Sequence, residues 1–245
     1  MRCTEADVKP TAGLTLIEIL IALALSLLVL GAAYALTTST AQANAVLTTR
    51  SQLTNEATVA SSLLSARLRE ACAVFPQNTA VTLPAGVAGT RNAANTTVWR
   101  VGTDPFVAFV VPASTAVSGS TPMMYAYYLL SRARYNEQMP AAQKIVAHST
   151  ETSQVLMEFE VPVTAAACTA PLTTLTTAPG TNAQALLLAE YVRAPTAAEP
   201  LFASESDQAV TYRLRFQKAS GSSVTVLPVL SQTPIRAAIV GRNIR

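Results

Sequence analysis

Few residues in this 245-residue chain have a type and spacing that could support chemistry. The only histidine, His148, lies in the polar string AHSTETS, where spacing allows neither a metal cluster nor a base and nucleophile pair. The acidic residues form no calcium loop, and no glycine-rich phosphate cradle follows a strand. The sequence therefore predicts no enzyme, no cofactor and no metal site. One carboxylate has an unusual setting, because Glu18 lies inside a long apolar run.

The apolar run around this carboxylate is long enough to cross a membrane. Leu14 to Leu36 comprises 23 residues with one charge, and a helix of that length covers about 34 Å. Arg2 and Lys9 precede the run, and the next basic residue is Arg50, so the positive-inside rule predicts a cytoplasmic N-terminus. A secretory signal peptide would end in a small-residue cleavage site. Here the small residue, Gly13, comes before the run.

The stretch GLTLIEILIALALSLL resembles the class III signal of type IV prepilins and of the pseudopilins of type II secretion. In that family a peptidase cuts after the glycine and methylates the new N-terminus. The resemblance implies that residues 1–13 are a cleaved leader, with Gly13 at the cut and Leu14 as the first mature residue, where the family most often has phenylalanine. Glu18 is then the fifth mature residue, which in the family pairs with the N-terminal amine of a neighbouring subunit. An ordinary single-span anchor is the alternative.

The helical pattern continues beyond the apolar run. Apolar residues recur mostly three or four positions apart, as on one face of an amphipathic helix: Leu47, Leu53, Ala57, Ala60, Leu64, Leu68 and Ala71. Pro76 disfavours helix at Phe75, so the pattern predicts a membrane or filament-core half at 14–36 and an amphipathic half at 37–75, ending at Val74. Two helices broken near Thr37 to Thr40 are the alternative, because threonines are weak helix formers.

The pattern changes to strands in the remaining region, 76–245. Half of the chain is hydrophobic, 13% is charged and the formal charge is +3, so a sizeable core is expected and the charge favours no partner class. Runs rich in β-branched and aromatic residues predict strands: TTVWRVG, PFVAFVVPA, MMYAYYLLSRARYN, QVLMEFEVPV and VTYRLRFQKA. The predicted fold class is α+β, with the long N-terminal helix across one face of an antiparallel sheet. Residues 184–194 fit a helix or a strand.

Two strands show an alternation typical of a sheet that is wet on one side. Glu158 and Glu160 alternate with apolar residues in one of them, and Arg213 and Arg215 alternate with apolar residues in the other. If these strands are antiparallel neighbours, the acidic pair and the arginine pair face each other and help to set the register.

Cysteine usage suggests one disulfide. Cys3 lies in the leader, which leaves Cys72 and Cys168 as the only pair in the exported part. A bond between them would close roughly 95 residues, and an exported location favours it. The alternative is two free thiols, one on the buried helix face and one in a loop.

A basic feature follows the aromatic run in the middle of the chain. Arg132 and Arg134 come after three tyrosines, and basic residues beside aromatics are typical of single-stranded DNA binding. Together with Arg213 and Arg215, they are the candidate nucleic-acid contacts. The alternative is a half-exposed strand whose arginines point to water.

Two further stretches resemble a particular part of the pilin family. LLSARLREACAVFP and the C-terminal IRAAIVGRN are similar to segments of PilW-type minor pilins and of J-type pseudopilins. The resemblance implies a minor pilin of a type IV pilus, placed near but not at the extreme tip, because tip subunits can lack the glutamate that Glu18 provides. A type II secretion pseudopilin and a DNA-binding competence pilin are the alternatives.

The resemblance also implies partners and a location. The partners are the prepilin peptidase, other major and minor pilins through the N-terminal helix, the inner-membrane assembly platform, and membrane lipid before assembly. DNA is a further candidate partner. The expected location is the bacterial inner membrane before assembly, and a pilus or pseudopilus at the cell surface or in the periplasm afterwards.

Overall fold

The computed structural model describes residues 15–113, 121–146, 151–163, 168, 182–206, 209–220 and 223–240. The chain forms two compact units, of which the first ends at Leu47 and the second begins at Thr48. Helix α1 spans Leu16–Glu70, so its first part belongs to one unit and its last part to the other.

The remaining described elements all belong to the second unit. In chain order they are β1 (Ala73–Val74), β2 (Ala80–Thr82), β3 (Val98–Arg100), β4 (Phe106–Val111), β5 (Met123–Ser131), α2 (Arg132–Gln138), a 3-10 helix (Ala141–Gln143), β6 (Gln154–Pro162), β7 (Gln184–Val192), β8 (Phe202–Ser206), β9 (Ala209–Leu214), β10 (Phe216–Ser220), β11 (Ser223–Leu227) and β12 (Ile235–Val240). The strands form antiparallel sheets in the orders β1-β4-β5-β6-β7-β10-β11, β12-β9-β8 and β2-β3. The predicted α+β fold, a long helix followed by a large antiparallel sheet, is confirmed.

Helix α1 continues through its threonine-rich segment without the break that was the alternative. The hydroxyl groups of Thr37, Thr38 and Thr40 each donate a hydrogen bond to a backbone carbonyl oxygen three or four residues earlier. These hydroxyls are therefore satisfied inside the helix and do not compete with its backbone ladder.

In the second unit, α1 buries the predicted apolar stripe. Its residues recur every three or four positions and belong to one core cluster: Leu53, Ala57, Ala60, Leu64 and Leu68. Leu47, which was predicted to begin the stripe, is 63% exposed. The stripe packs against residues of both the seven-stranded and the three-stranded sheets, such as Phe109 and Tyr212.

Helix α1 ends at Glu70, so its predicted end at Val74 is wrong. The chain already pairs with the sheet between the helix end and Pro76. The backbone N–H of Cys72 donates to the Val110 carbonyl oxygen at 2.8 Å, and that of Phe75 donates to the Ala108 carbonyl oxygen at 3.0 Å. Residues between these two donors form β1, which pairs with β4. Strand pairing therefore ends the helix before the Pro76 effect can act.

The prediction that β6 is wet on one side is also wrong. Val155, Met157 and Phe159 pack into a second core cluster, while Leu156 faces the cluster that contains the α1 stripe. Glu158 is buried on that helix side, where its Oε2 accepts a 2.8 Å hydrogen bond from the Tyr127 hydroxyl. The central strands are covered on both faces, so their burial does not alternate.

The predicted facing of the acidic and arginine pairs does not occur. Strand β6 pairs with β5 and β7, whereas the strand of Arg213 pairs with β12 and β8 in the smaller sheet. The chain then passes from β9 to β10 and so changes sheets at Arg215. A bend of this kind lets one continuous segment serve two sheets.

Two further segments of ambiguous or mistaken pattern are resolved. The run MMYAYYLLSRARYN is a strand only as far as Ser131, whose Oγ accepts a 3.2 Å hydrogen bond from the backbone N–H of Arg134 and caps α2. The ambiguous residues 184–194 contain a strand, β7. Its pairing with β6 shifts register twice, which inserts extra residues on the β7 side.

Cys72 and Cys168 form a disulfide, with Cα atoms 5.4 Å apart and a sequence separation of 96 residues. Cys72 lies two residues after the end of α1 and is buried beside β4. The bond therefore ties the end of α1 and its adjoining strand to a position beyond β6 in the chain.

We expect the Cys72→Ser, Cys168→Ser double variant to lose on the order of 4 kcal/mol of unfolding free energy, because the bond closes a long loop in the unfolded chain. Denaturant unfolding of the full chain in neutral detergent micelles measures this loss. Cys3→Ser is the matched control and should leave the midpoint unchanged. Equal midpoints for the double variant and the parent would contradict the stabilising role of the bond.

Candidate functional site

The first turn of α1 holds Glu18 in a capping arrangement. Its Oε2 accepts hydrogen bonds from the backbone N–H of Thr15 at 2.9 Å and from the Thr15 hydroxyl at 3.0 Å. The backbone N–H of Glu18 lies 3.4 Å from the Thr15 hydroxyl oxygen in return. This reciprocal pattern is a capping box, in which the spacing Thr-x-x-Glu satisfies polar groups at the helix start. The carboxylate thus has partners inside its own chain.

Both hydrogen bonds that the Glu18 carboxylate accepts from Thr15 use Oε2. Within the described residues, Oε1 of Glu18 accepts no hydrogen bond. One oxygen of this carboxylate is therefore held by Thr15, and among the described residues the other has no donor. The predicted processing residues, Gly13 and Leu14, lie outside the described residues.

The run that follows Glu18 is apolar and exposed. Its best 18-residue window has a mean hydropathy of 2.6 and none of it is buried within the protein. Leu28 is 70% exposed and Val29 is 69% exposed. In length and composition this helix can cross a membrane. The Ser26 hydroxyl in this run donates to the Ala22 carbonyl oxygen at 2.7 Å and so is satisfied within the helix.

Residues 9–34 match the family described as the prokaryotic N-terminal methylation motif. The chain carries a prokaryotic N-terminal methylation motif. The match includes Gly13, Leu14, Thr15 and Glu18. No curated protein and no solved structure matches the chain.

The methylation motif supports a type IV pilin-like or pseudopilin protein. It is consistent with processing by a prepilin peptidase, with assembly through pilin-to-pilin contacts, and with membrane anchoring before assembly. The motif covers the segment that contains the capping box, so the finding from comparison and the geometry of Glu18 concern the same residues.

Three of the four arginines predicted as nucleic-acid contacts have side-chain partners within the protein. Arg132 begins α2 rather than continuing a strand, and it is 6% exposed. Its guanidinium donates to the Glu190 carbonyl oxygen at 3.0 Å and lies 4.6 Å from the ring centroid of Tyr191. Arg134 pairs with Glu137 at 2.6 Å. Neither residue points freely to water, and both lie on a helix. The alternative, a half-exposed strand with solvated arginines, is therefore wrong as well.

Arg215 is likewise buried, with 7% exposure. Its guanidinium forms two hydrogen bonds with Glu199, at 2.9 and 3.1 Å, and also donates to the backbone carbonyl oxygens of Pro228, Val229 and Gln232. It therefore fixes the loop after β11 to the bend between two sheets. Arg213 is partly exposed and is the one candidate of the four whose side chain has no hydrogen bond among the described residues.

A polar site that sequence reasoning missed joins α1 to the irregular end of β7. Glu56 of α1 accepts a 3.2 Å hydrogen bond at Oε2 from the backbone N–H of Glu190. The carbonyl oxygen of Glu190 accepts from Arg132 at 3.0 Å and from the Ser153 hydroxyl at 3.4 Å. Both backbone groups that the strand irregularity takes out of the ladder are thus satisfied by side chains.

The neighbouring residues complete this polar site. Two cations contact the Tyr191 ring. The guanidinium of Arg132 and the ammonium of Lys218 each lie 4.6 Å from its centroid. Lys218 also donates to Gln52 Oε1 at 2.6 Å, and Gln52 donates to Glu56 at 3.4 Å. The network fixes the position of α1 along β7, because the side chains on the helix contact particular backbone groups of the strand.

Burial raises the pKa of Glu56 above its ordinary 4.5, and the nearby charge of Glu190 adds to this, while the backbone hydrogen bond from Glu190 opposes it. The sequence held a signal for this burial. Glu56 lies three residues after Leu53 and four before Ala60, so helical spacing places it at the border of the apolar stripe.

We expect Glu56→Ala to cost about 1 kcal/mol of unfolding free energy at pH 7, because the backbone N–H of Glu190 loses its acceptor. Glu56→Gln keeps an acceptor oxygen and should retain most of that stability. The raised pKa gives the parent a contribution that is present below pH 4.5 and lost as the pH rises through the folded-state pKa. Glu56→Gln should lack this decrease.

Denaturant unfolding of the full chain in micelles between pH 4 and 7 measures these effects. Asn55→Ala, at an exposed position on the same helix, is the control and should follow the parent at each pH. The same pH dependence in the parent and in Glu56→Gln would show that the carboxylate is not buried in this network.

Proposed function

We propose that this protein is a minor pilin subunit of a type IV pilus, which is cut after Gly13 by a prepilin peptidase and takes part in pilus assembly near, but not at, the extreme tip. Its role is structural rather than enzymatic. Its N-terminal helix contacts other pilins, and the assembly platform extracts it from the inner membrane.

The observation that supports this proposal is that Glu18 accepts hydrogen bonds at only one of its two carboxylate oxygens among the described residues. A carboxylate in an apolar run is costly unless it has partners, and Thr15 supplies two donors to one oxygen. Thr15 follows Leu14, so both donors remain after cleavage at Gly13. The second oxygen can then accept from the N-terminal amine of a neighbouring subunit, and opposite charges attract strongly in an apolar bundle. Assembly therefore adds a partner to a carboxylate that is already oriented.

The position below the tip follows from the same residue. A subunit with nothing above it has no neighbouring amine to pair with, whereas Glu18 offers an acceptor for one. The minor-pilin assignment is further supported by the PilW-like segments LLSARLREACAVFP and IRAAIVGRN, which contain the end of α1 and β12. A pseudopilin of a type II secretion system would use the same carboxylate in the same way.

We expect Gly13→Ala to prevent processing, so that the full-length precursor accumulates in the membrane. Glu18→Ala should be processed but should enter sheared surface pili at a level reduced about tenfold or more, because the incoming subunit lacks the ion pair. Immunoblots of membrane and sheared-pilus fractions, run on gels that resolve the precursor from the mature chain, measure both effects.

Three further variants separate pairing from capping. Glu18→Gln keeps an oxygen for the Thr15 donors but carries no charge, so it should assemble as poorly as Glu18→Ala. Thr15→Val removes the hydroxyl donor and keeps the charge, so it should assemble better than Glu18→Gln. Ser26→Ala changes a polar residue elsewhere in the run and is the control. Normal assembly of Glu18→Gln would contradict the pairing of the Glu18 charge with a neighbouring N-terminal amine.

The machinery itself is tested by deleting the gene. Loss of surface pili with normal protein secretion is expected for a minor pilin. Loss of secretion with normal pili would replace this assignment by the pseudopilin.

A further inference from the structure

Two arginines of the three-stranded sheet lie opposite each other, and a third lies close to one of them. Arg213 of β9 is directly opposite Arg236 of β12 in the antiparallel ladder. Directly opposite residues have Cβ atoms about 5 Å apart, and like charges at such positions destabilise a sheet. Arg193 follows β7 and lines the same small depression as Arg213. These three residues are named the arginine patch.

The backbone fixes where the arginine patch lies. The N–H of Arg193 donates to the carbonyl oxygen of Arg215 at 2.8 Å, and the N–H of Arg213 donates to that of Leu201 at 2.8 Å. Arg236 belongs to β12, which is an edge strand of its sheet among the described residues. The side chain of Arg236 is exposed, and those of Arg193 and Arg213 are partly exposed. A partner can therefore reach the patch without moving the fold.

The nearest carboxylate does not neutralise the arginine patch. Glu199 lines the depression, but its two oxygens already accept from Arg215 at 2.9 and 3.1 Å. The Arg215 hydrogen bonds lower the pKa of Glu199, and the charges of Arg193 and Arg213 lower it further. Those two arginines act on Glu199 only at a distance, and no described residue accepts a hydrogen bond from the guanidinium of Arg193, Arg213 or Arg236.

We propose that the arginine patch binds the carboxylates of an acidic polypeptide segment. A guanidinium presents a planar fork of donors that matches a carboxylate. A carboxylate placed between Arg213 and Arg236 would relieve their repulsion, and Arg193 would take a second acidic side chain of the same segment. The patch thus selects partners with closely spaced aspartate or glutamate residues. This inference rests on arginine geometry and does not depend on processing at Gly13.

The surroundings favour a polypeptide over nucleic acid. Single-stranded nucleic acid is bound by cationic grooves that also carry aromatic stacking surfaces. In the second unit, no tyrosine, phenylalanine or tryptophan that the structure describes is exposed. Tyr191 is partly exposed, but it already contacts Arg132 and Lys218. The patch therefore offers charge without a stacking surface.

The test uses the full chain in neutral detergent micelles and a fluorescein-labelled hexaglutamate peptide, with anisotropy measured at low and high salt. Binding at low salt that weakens at high salt is expected. The double variant Arg213→Gln, Arg236→Gln should bind about tenfold more weakly. The matched control is Arg50→Gln, Arg100→Gln, which removes the same charge from exposed positions outside the patch and should change the affinity less than about twofold.

Three outcomes would overturn the proposal. Equal weakening in both double variants would show that only net charge matters. Tighter binding of an oligothymidylate than of hexaglutamate would assign the patch to nucleic acid. A large loss of unfolding free energy in Arg236→Gln would show a structural role, because removing a like-charge neighbour should instead leave stability equal or raise it.

Discussion

The second unit depends on one stripe of α1 that serves two sheets at once. Leu53, Ala57, Ala60, Leu64 and Leu68 are all buried in a cluster that includes residues of the seven-stranded and the three-stranded sheets. Apolar packing of this kind is not directional, so polar contacts have to set the register. Glu56 contacts the large sheet at Glu190, and Tyr212 of the small sheet shares a 2.7 Å hydrogen bond with Ser65. One helix thereby fixes both sheets relative to itself.

The sequence predicted those parts of the fold that follow from periodicity. The three-and-four spacing from Leu53 to Leu68 located the buried stripe, and β-branched runs located most of the larger strands. Periodicity could not show which strands are neighbours, so the pairing of Glu158 with Arg213 was wrong. It also could not show that β1 pairing ends α1, because that pairing is a contact distant in the chain. The Ser131 cap is a local contact with Arg134, and it was missed because the strand-like run continues through Ser131.

The part of the candidate site that depends on neighbouring residues in the sequence was predictable, and the part that depends on remote contacts was not. Glu18 stood out because its charge conflicts with its surroundings, and the Thr15 spacing that caps it was already visible as Thr-x-x-Glu. Arg132 and Arg215 were misjudged because alternation assigns a face but cannot report what covers it. Burial of an arginine depends on carbonyl oxygens such as those of Glu190 and Val229, which come from remote loops and strands. Sequence alone does not bring such groups together.

The disulfide has a mechanical consequence. In the proposed pilus, tension would load this protein, and a chain that unravels can extend by about 3.5 Å for each residue that leaves the fold. The bond between Cys72 and Cys168 joins positions 96 residues apart, so the chain between them cannot lengthen while the bond is intact. The bond therefore prevents an extension of roughly 300 Å under a pulling force. The covalent link limits how far this protein can extend under force, at the point where the helix meets the sheet.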